Sequence, residues 1–407
     1  MISSDPSAAR TGSNIVRNAR FWIFGLLPLL LLAGMLYVFS QFGTRGVFDG
    51  QFPPVEELTI ERLSFTEEGI DLQVLNGGPE AVTIAQVTVD EAVWQFTIEP
   101  EGTVERLSGA KVSIPYPWVS GEPHAVALIS SSGVTFEAEA PVASLSPVPG
   151  ATFLMTFTML GVYVGVIPIL IGLVWFPFLR NLATRWLNFF LAITVGLLLF
   201  LGVDTIEEAI HLAGGVAGAF QGIGLAVSGF VLAFMAVSVV DRWRERQQSR
   251  LEMPALPLSY AIAVGIGMHN LGEGLAIGSA YATGAISLGT FLVVGFAAHN
   301  TTEGLAIAAP LARGETPLRR LAPHLLFAGL IAGSPAILGT WLGGFAFSPI
   351  WATFFLGAGA GAIIQVVWQL ARMMGQDPDG SLASGLNATG IVIGVLIMYG
   401  TGILLVS

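Results

Sequence analysis

The chain alternates between two rhythms of apolar and polar positions. Long apolar runs, close to the ~20 residues a helix needs to span a bilayer, occur at Phe21–Ser40 and then at 151–177, 186–212, 220–240, 255–280, 286–311, 322–344, 350–371 and 386–406. From Leu321 to Ala371, 51 residues pass without Asp, Glu, Lys or Arg. That is too long for one span, and the Gly343-Gly344 to Pro349 segment supplies the turn that divides it. A shorter rhythm fills the interval after the first run. LTIERLSF, IDLQVLN, VTIAQVTVD, AVWQFTIE, HAVALIS and VTFEAEAPV alternate with period two, separated by GGPE, PEG, SGA and SSG. Short alternating runs between turn residues predict strands, and this many predict a small β-sandwich.

The predicted fold class is therefore an all-α polytopic membrane protein with an eight-helix core over 151–407. Ahead of it stand a cytoplasmic tail at 1–20, an extra transmembrane helix at 21–40 and an extracytoplasmic acidic β-sandwich-like domain at 50–149. Arg10, Arg17 and Arg20 precede the first run, which lacks a small-residue cleavage site and is long for a signal peptide. It reads as a retained anchor, with a cleaved signal as the alternative.

Composition supports the membrane class: 53% of residues are hydrophobic and 11% charged, against roughly 25% charged in soluble domains. The 50 glycines suit close helix approach. With no cysteine, disulfides and thiolate metal sites are excluded. The net charge of −11 is local, since residues 49–139 hold 16 Asp or Glu against Arg62, Arg106 and Lys111, and nucleic acid is no partner for such a chain. With the N-terminus in the cytoplasm and nine alternating spans, 13 of the 17 basic residues fall on the cytoplasmic side, as the positive-inside rule asks. The β-domain and the C-terminus then face outside. Arg outnumbers Lys 16 to 1, consistent with a GC-rich prokaryote and its cytoplasmic membrane.

Ionisable residues within spans are costly and call for a reason. They are Asp204, Glu207, Glu208 and His211 in one span, His269 and Glu273 in a second, His299 and Glu303 in a third, with His324 near a cytoplasmic end. No Arg or Lys accompanies the carboxylates inside these spans. They must therefore bind protons or a cation, and imidazole beside carboxylate favours a divalent metal. Two of the segments are near-copies: HNLGEGLAI at 269–277 and HNTTEGLAI at 299–307. Positions i and i+4 share a helix face, so His269 with Glu273 and His299 with Glu303 each form a two-ligand half-site. Asn270 and Asn300 are placed to add amide oxygens, and two imidazoles with two carboxylates suit zinc or another first-row divalent ion. The competing reading is polar glue between packed helices. Asp204, Glu208 and His211 share a face toward the outer end of their span and read as an entrance for the cation, or else as ordinary solvated carboxylates at a helix end. HExxH, GxSxG and Walker sequences are absent.

Residues 151–407 resemble the ZIP (Zrt-/Irt-like) divalent-metal transporters, especially the GufA-like branch, through HN..EG in the fourth of eight spans and...N..EG in the fifth. The resemblance implies transport of zinc, with iron, manganese, cobalt or cadmium as further candidates, toward the cytoplasm. It implies one metal held by His269, Glu273, His299 and Glu303 and a second by Asn270, Glu273, Asn300 and Glu303. It also likens Asp204 to an acidic residue near the family's entrance. The chain departs from that pattern. Gly272 and Thr302 stand where a Pro is usual, and His299 where Gln is common. Ser334 occupies the place of a sixth-span Glu, and Gln365 and Gln369 stand in the seventh span. The second metal site is therefore expected to be weak or absent. The loop DRWRERQQSRLE has no His, unlike that of many relatives. The expected partners are a divalent metal ion and the lipid bilayer, with a homodimer left open, and no organic cofactor or enzymatic activity is expected. Two other readings stay open: a transport-inactive sensor signalling through the β-domain, and an intramembrane metallohydrolase.

Overall fold

The computed structural model describes residues 19–42, 55–140, 142–146, 150–247, 255–282, 286–345, 348–375 and 380–406. The chain is mostly helical, with a separate small β region. It forms two compact units, Met1–Pro54 and Val55–Ser407. The first contains helix α1, Ala19–Phe42. Its apolar stretch Leu26–Val38 leaves leucines such as Leu29 and Leu30 exposed.

The second unit begins with eight strands: β1 Leu58–Thr66, β2 Gly69–Asn76, β3 Ile84–Val89, β4 Ala92–Trp94, β5 Thr97–Glu99, β6 Gly109–Ile114, β7 His124–Ser130 and β8 Thr135–Ala140. They pair antiparallel into two four-stranded sheets, β1-β2-β6-β5 and β4-β3-β7-β8. Period-two alternation places Leu72, Val74, Val112, Val87, Val89, Val126 and Leu128 in one shared core, which is the sandwich the sequence pattern predicts. Two details differ from that pattern. β6 starts in the Ser-Gly-Ala read as a turn, yet Val112 and Ile114 alternate inward and bind it to β2. The run AVWQFTIE does not make one strand; it splits into β4 and β5, one for each sheet.

The remaining chain is helical. Its elements are α2 Ala151–Gly161, a π-helical turn Val162–Val166, α3 Ile167–Leu173, α4 Phe176–Arg180, α5 Thr184–Ala213, α6 Gly222–Gln247, α7 Leu256–Ala282, α8 Ile286–Ala312, α9 Leu318–Gly333, α10 Pro335–Phe345, α11 Pro349–Gly375 and α12 Gly385–Val406. Among the described residues, five helical segments are long and apolar enough to cross a membrane: Ala151–Arg180, Thr184–Ala213, Gly218–Val239, Leu318–Phe345 and Pro349–Gly375. α7 is not among them, because its polar triplet lies in mid-helix. Large apolar side chains such as Met159, Val174, Val231, Trp351 and Trp368 face outward. So broad an exposed apolar surface is what a lipid-solvated protein presents.

Glycines set the closest helix approaches. A Cβ on Gly274 would strike the Ala336 carbonyl oxygen, and one on Gly304 would strike that of Ile169. α7 thereby packs tightly on α10, and α8 on α3. The β region meets the ends of these helices through named polar groups. A bulge at Glu61 shifts the β1 register between Ile60 and Arg62. Arg62 Nη2 then donates to Gly344 O in the last turn of α10 at 2.8 Å. Ser146 Oγ accepts from Phe65 N at 2.9 Å and reaches Ala282 O, the end of α7, at 3.4 Å. Glu57 Oε1 accepts from Gly218 N in the α5–α6 connection. The last carbonyls of a helix lack intrahelical donors, and a basic side chain there also complements the helix dipole.

Candidate metal centre

α7 and α8 carry the two copies of the polar triplet, and their contacts cross. Asn300 Nδ2 donates to Glu273 Oε2 at 2.9 Å. Asn270 Nδ2 reaches Glu303 Oε2 at a longer 3.4 Å. Each amide therefore holds the carboxylate of the other helix. Each also donates a second time, to a main-chain carbonyl of a third element: Asn300 to Val164 O at 3.1 Å and Asn270 to Ala332 O at 3.0 Å.

The sequence explains why those carbonyls are free. Pro168 has no N–H for Val164 O four residues earlier, and its ring crowds that carbonyl; the π-helical turn Val162–Val166 falls at this place. Ala332 lies in the last turn of α9, which stops at Gly333 before Ser334 and Pro335. Pro168 thus leaves Val164 O without its helical donor, Ala332 O lies among the last carbonyls of α9, and two asparagines thirty residues apart take up these acceptors.

The carboxylates of Glu273 and Glu303 are each 3% exposed, while Asn270 and Asn300 are fully buried. Neither α7 nor α8 contains Arg or Lys. Burying carboxylates away from water is costly unless a proton, a cation or a full set of hydrogen bonds compensates. His269 is buried too, with Nε2 3.2 Å from Glu273 Oε1 and Nδ1 2.8 Å from Thr205 Oγ1. The side-chain oxygens of Asn270 and Asn300 are buried without a hydrogen-bond partner. Both amide nitrogens are engaged, so these two oxygens remain as acceptors at the level of the carboxylates. An imidazole nitrogen, carboxylate oxygens and amide oxygens form a donor set that suits a borderline divalent ion.

Among the described residues, no three His, Asp or Glu side chains form a group able to hold a metal by themselves. The side chain of His299 lies outside the described residues, so the fourth ligand expected from the sequence is not placed. The structure brings together His269, Asn270, Glu273, Asn300 and Glu303. Asp204, Glu207, Glu208 and His211 are all exposed along the C-terminal part of α5. α7 and α8 run unbroken through Gly272 and Thr302. A Cβ at Gly272 would strike the Leu356 side chain, and Thr302 Oγ1 lies 3.9 Å from Met398 S. Ser334 sits in the break between α9 and α10, its N–H bonded to Leu330 O at 2.9 Å. Gln369 Nε2 donates to Gln365 Oε1, so these two amides engage one another. His324 is bonded to the hydroxyl of Tyr260 at 2.9 Å. Of the segment DRWRERQQSRLE, expected as a loop, residues 241–247 continue α6, and 248–252 lie outside the described residues.

Thr205 and the acceptors Val164 O and Ala332 O were not foreseen. Pro168 is the sequence signal for Val164 O, and Ala332 O has none. Thr205 carried none, since a threonine in an apolar helix ordinarily bonds back to its own turn.

No known family pattern matches the chain, and no curated protein matches it closely enough to count as a relative.

Proposed function

We propose that the protein carries divalent transition-metal cations across a membrane, zinc foremost, through a site built from the paired triplets. The observation that carries this reading is the crossed bonding of two buried carboxylates by two amides whose own oxygens remain unpartnered. A hydrogen-bonded packing contact is satisfied when every buried polar atom has a partner, and here the two amide oxygens lack one. A cation supplies the missing partner for both amide oxygens and the missing charge for both carboxylates.

In this reading residues 151–407 form an eight-helix core of the ZIP type, with the N-terminus cytoplasmic and the β-domain and C-terminus outside. The ion arrives past Asp204, Glu208 and His211 and exchanges water for His269, Asn270, Glu273, His299, Asn300 and Glu303. It leaves toward the cytoplasmic arginines as one group of helices rocks against another. Ser334 in place of a carboxylate leaves the second metal position poorer in charge, so a single ion is expected to dominate.

A second reading, a metal sensor without flux, draws on the bonds of Arg62 and Ser146 to the ends of α10 and α7. Those bonds give the β-domain a direct hold on site-bearing and site-packing helices. Zinc flux into proteoliposomes with an enclosed zinc indicator separates the two. Flux that disappears in a His269→Ala, His299→Ala double variant supports transport. Zinc binding without flux in the unmodified protein supports the sensor, and neither binding nor flux removes the metal from the account.

A further inference from the structure

We infer that Thr205 is a positioning residue for the site: its hydroxyl holds the His269 ring so that Nε2 is the nitrogen offered to a metal ion. The inference rests on the metal-site reading above.

The geometry is specific. Thr205 lies on α5, its side chain 1% exposed and turned toward α7, next to the outward-facing Asp204. Its Oγ1 is 2.8 Å from His269 Nδ1 and 2.7 Å from Leu201 O. A carbonyl only accepts, whereas a hydroxyl donates one hydrogen and accepts with its lone pairs. If Nε2 binds a metal, the ring must be neutral with its hydrogen on Nδ1. That hydrogen then needs an acceptor, and the Thr205 oxygen is at hydrogen-bond distance. For the oxygen to accept, its own hydrogen must point elsewhere, and Leu201 O is already in place to receive it. A relay Nδ1–H to Thr205 Oγ1 to Leu201 O results, with every hydrogen placed.

The opposite tautomer is satisfied by the same residue. With the hydrogen on Nε2 facing Glu273 Oε1 at 3.2 Å, the hydroxyl turns and donates to Nδ1. The carbonyl of Leu201 keeps its ordinary helical donor, the Thr205 N–H. Thr205 thus serves the ring both with and without metal, by rotation about one C–O bond. A β-branched side chain suits this task, because its χ1 is stiff and the oxygen stays where the ring needs it. Valine has the same shape and offers nothing to Nδ1. Serine keeps the hydroxyl with more freedom.

The test uses the full-length protein in lipid nanodiscs, with 15N-labelled histidine and zinc as the probe. Zinc affinity is measured for the unmodified protein, Thr205→Val and Thr205→Ser. The His269 ring nitrogens are assigned by comparison with a His269→Ala sample. Partners that orient a ligating histidine typically change metal affinity about 10–100-fold. Thr205→Val is expected to weaken zinc binding within that range and to alter the 15N shift of Nδ1 in the zinc-loaded state. Thr205→Ser is expected to restore affinity to within a few-fold. Equal affinity and unchanged Nδ1 shift in Thr205→Val overturn the assignment while the metal site stands. A loss in Thr205→Val that Thr205→Ser does not repair also overturns it, since the hydroxyl is then not the cause. If the unmodified protein binds no zinc, the metal-site reading fails and this inference falls with it.

Discussion

One carboxylate–imidazole pair lies in the β region and another among the helices, and their surroundings differ. In the β region His124 Nδ1 lies 2.7 Å from Asp90 Oδ2, and that carboxylate also accepts from Tyr116 Oη at 3.0 Å and Ala125 N at 2.9 Å. Asp90 and Glu91 form the β3–β4 turn with φ of 51° and 67°, so the bonds latch a left-handed turn onto the start of β7. The Asp90 side chain is 39% exposed, while His124 Nε2 is buried without a hydrogen-bond partner. Among the helices, the His269–Glu273 pair is 7% and 2% exposed, longer at 3.2 Å, and flanked by amide oxygens with no partner. One carboxylate is saturated with donors at a surface. The other is buried, accepts from Asn300 Nδ2 and lies against His269 Nε2. The first arrangement is a fastening, and the second is the one to which the proposed function assigns a cation.

This contrast breaks most sharply at the carboxylates. Glu273→Gln removes a ligand charge and is expected to weaken zinc binding at least about 100-fold. Asp90→Asn is expected to leave zinc affinity within a factor of two, read by competition against a zinc chelator. An Asp90 variant that lost zinc would join the two pairs into one function.

Next in size is packing under the buried pair. Gly274→Val places a methyl-bearing carbon where Ala336 O already stands. Overpacking of this kind costs about 1–3 kcal/mol, more when backbone must move. A lower thermal midpoint in detergent, together with zinc loss, is the expected result, whereas Gly375, exposed and with open space around it, should tolerate alanine.

The Asp90 latch should show in stability rather than binding. Replacing Asp90 with Asn is expected to cost roughly 1–2 kcal/mol near neutral pH, the scale of hydrogen bonds to a charged group. Burial pushes the Asp90 carboxyl up, but the Ala125 N–H, the His124 ring and the Tyr116 hydroxyl together hold it below the usual carboxylate range. A carboxyl lowered by folding stabilises fully above its unfolded pKa of about 3.9 and loses that contribution as pH falls through the folded value. The gap between unmodified protein and Asp90→Asn should therefore shrink in acid below about pH 4. A gap that widened there would reverse the sign assigned to these bonds. Smallest of all, Arg62→Ala removes the bond to Gly344 O and is expected to cost about 1 kcal/mol, seen as a modest drop in midpoint.

Much of this architecture is visible in the sequence, for identifiable reasons. Helix ranges follow from apolar run length, and most observed helix ends lie within a few residues of the expected runs, although 151–177 divides into α2, a π-helical turn, α3 and α4, 322–344 divides into α9 and α10, and α6 runs on to Gln247. The strands follow from period-two alternation, except where Gly109 and Ala110 looked like a turn and Val112 and Ile114 were overlooked as the inward face of β6. The duplicated triplet is plain in the sequence, and the structure brings its two copies into contact. Its crossed bonding is not legible, since that depends on how α7 and α8 rotate against each other. Nor is Thr205, whose partner lies 64 positions away on another helix.

The central claim is that the two triplets act as one site, and zinc stoichiometry tests it most directly. Equilibrium zinc content is measured for the unmodified protein, Glu273→Gln, Glu303→Gln and the double variant at one fixed free-zinc level. A shared site makes the losses non-additive, so each single variant should lose as much zinc as the double. If each single variant retained half of the zinc and only the double lost all of it, the triplets would be two independent sites and the account would be contradicted.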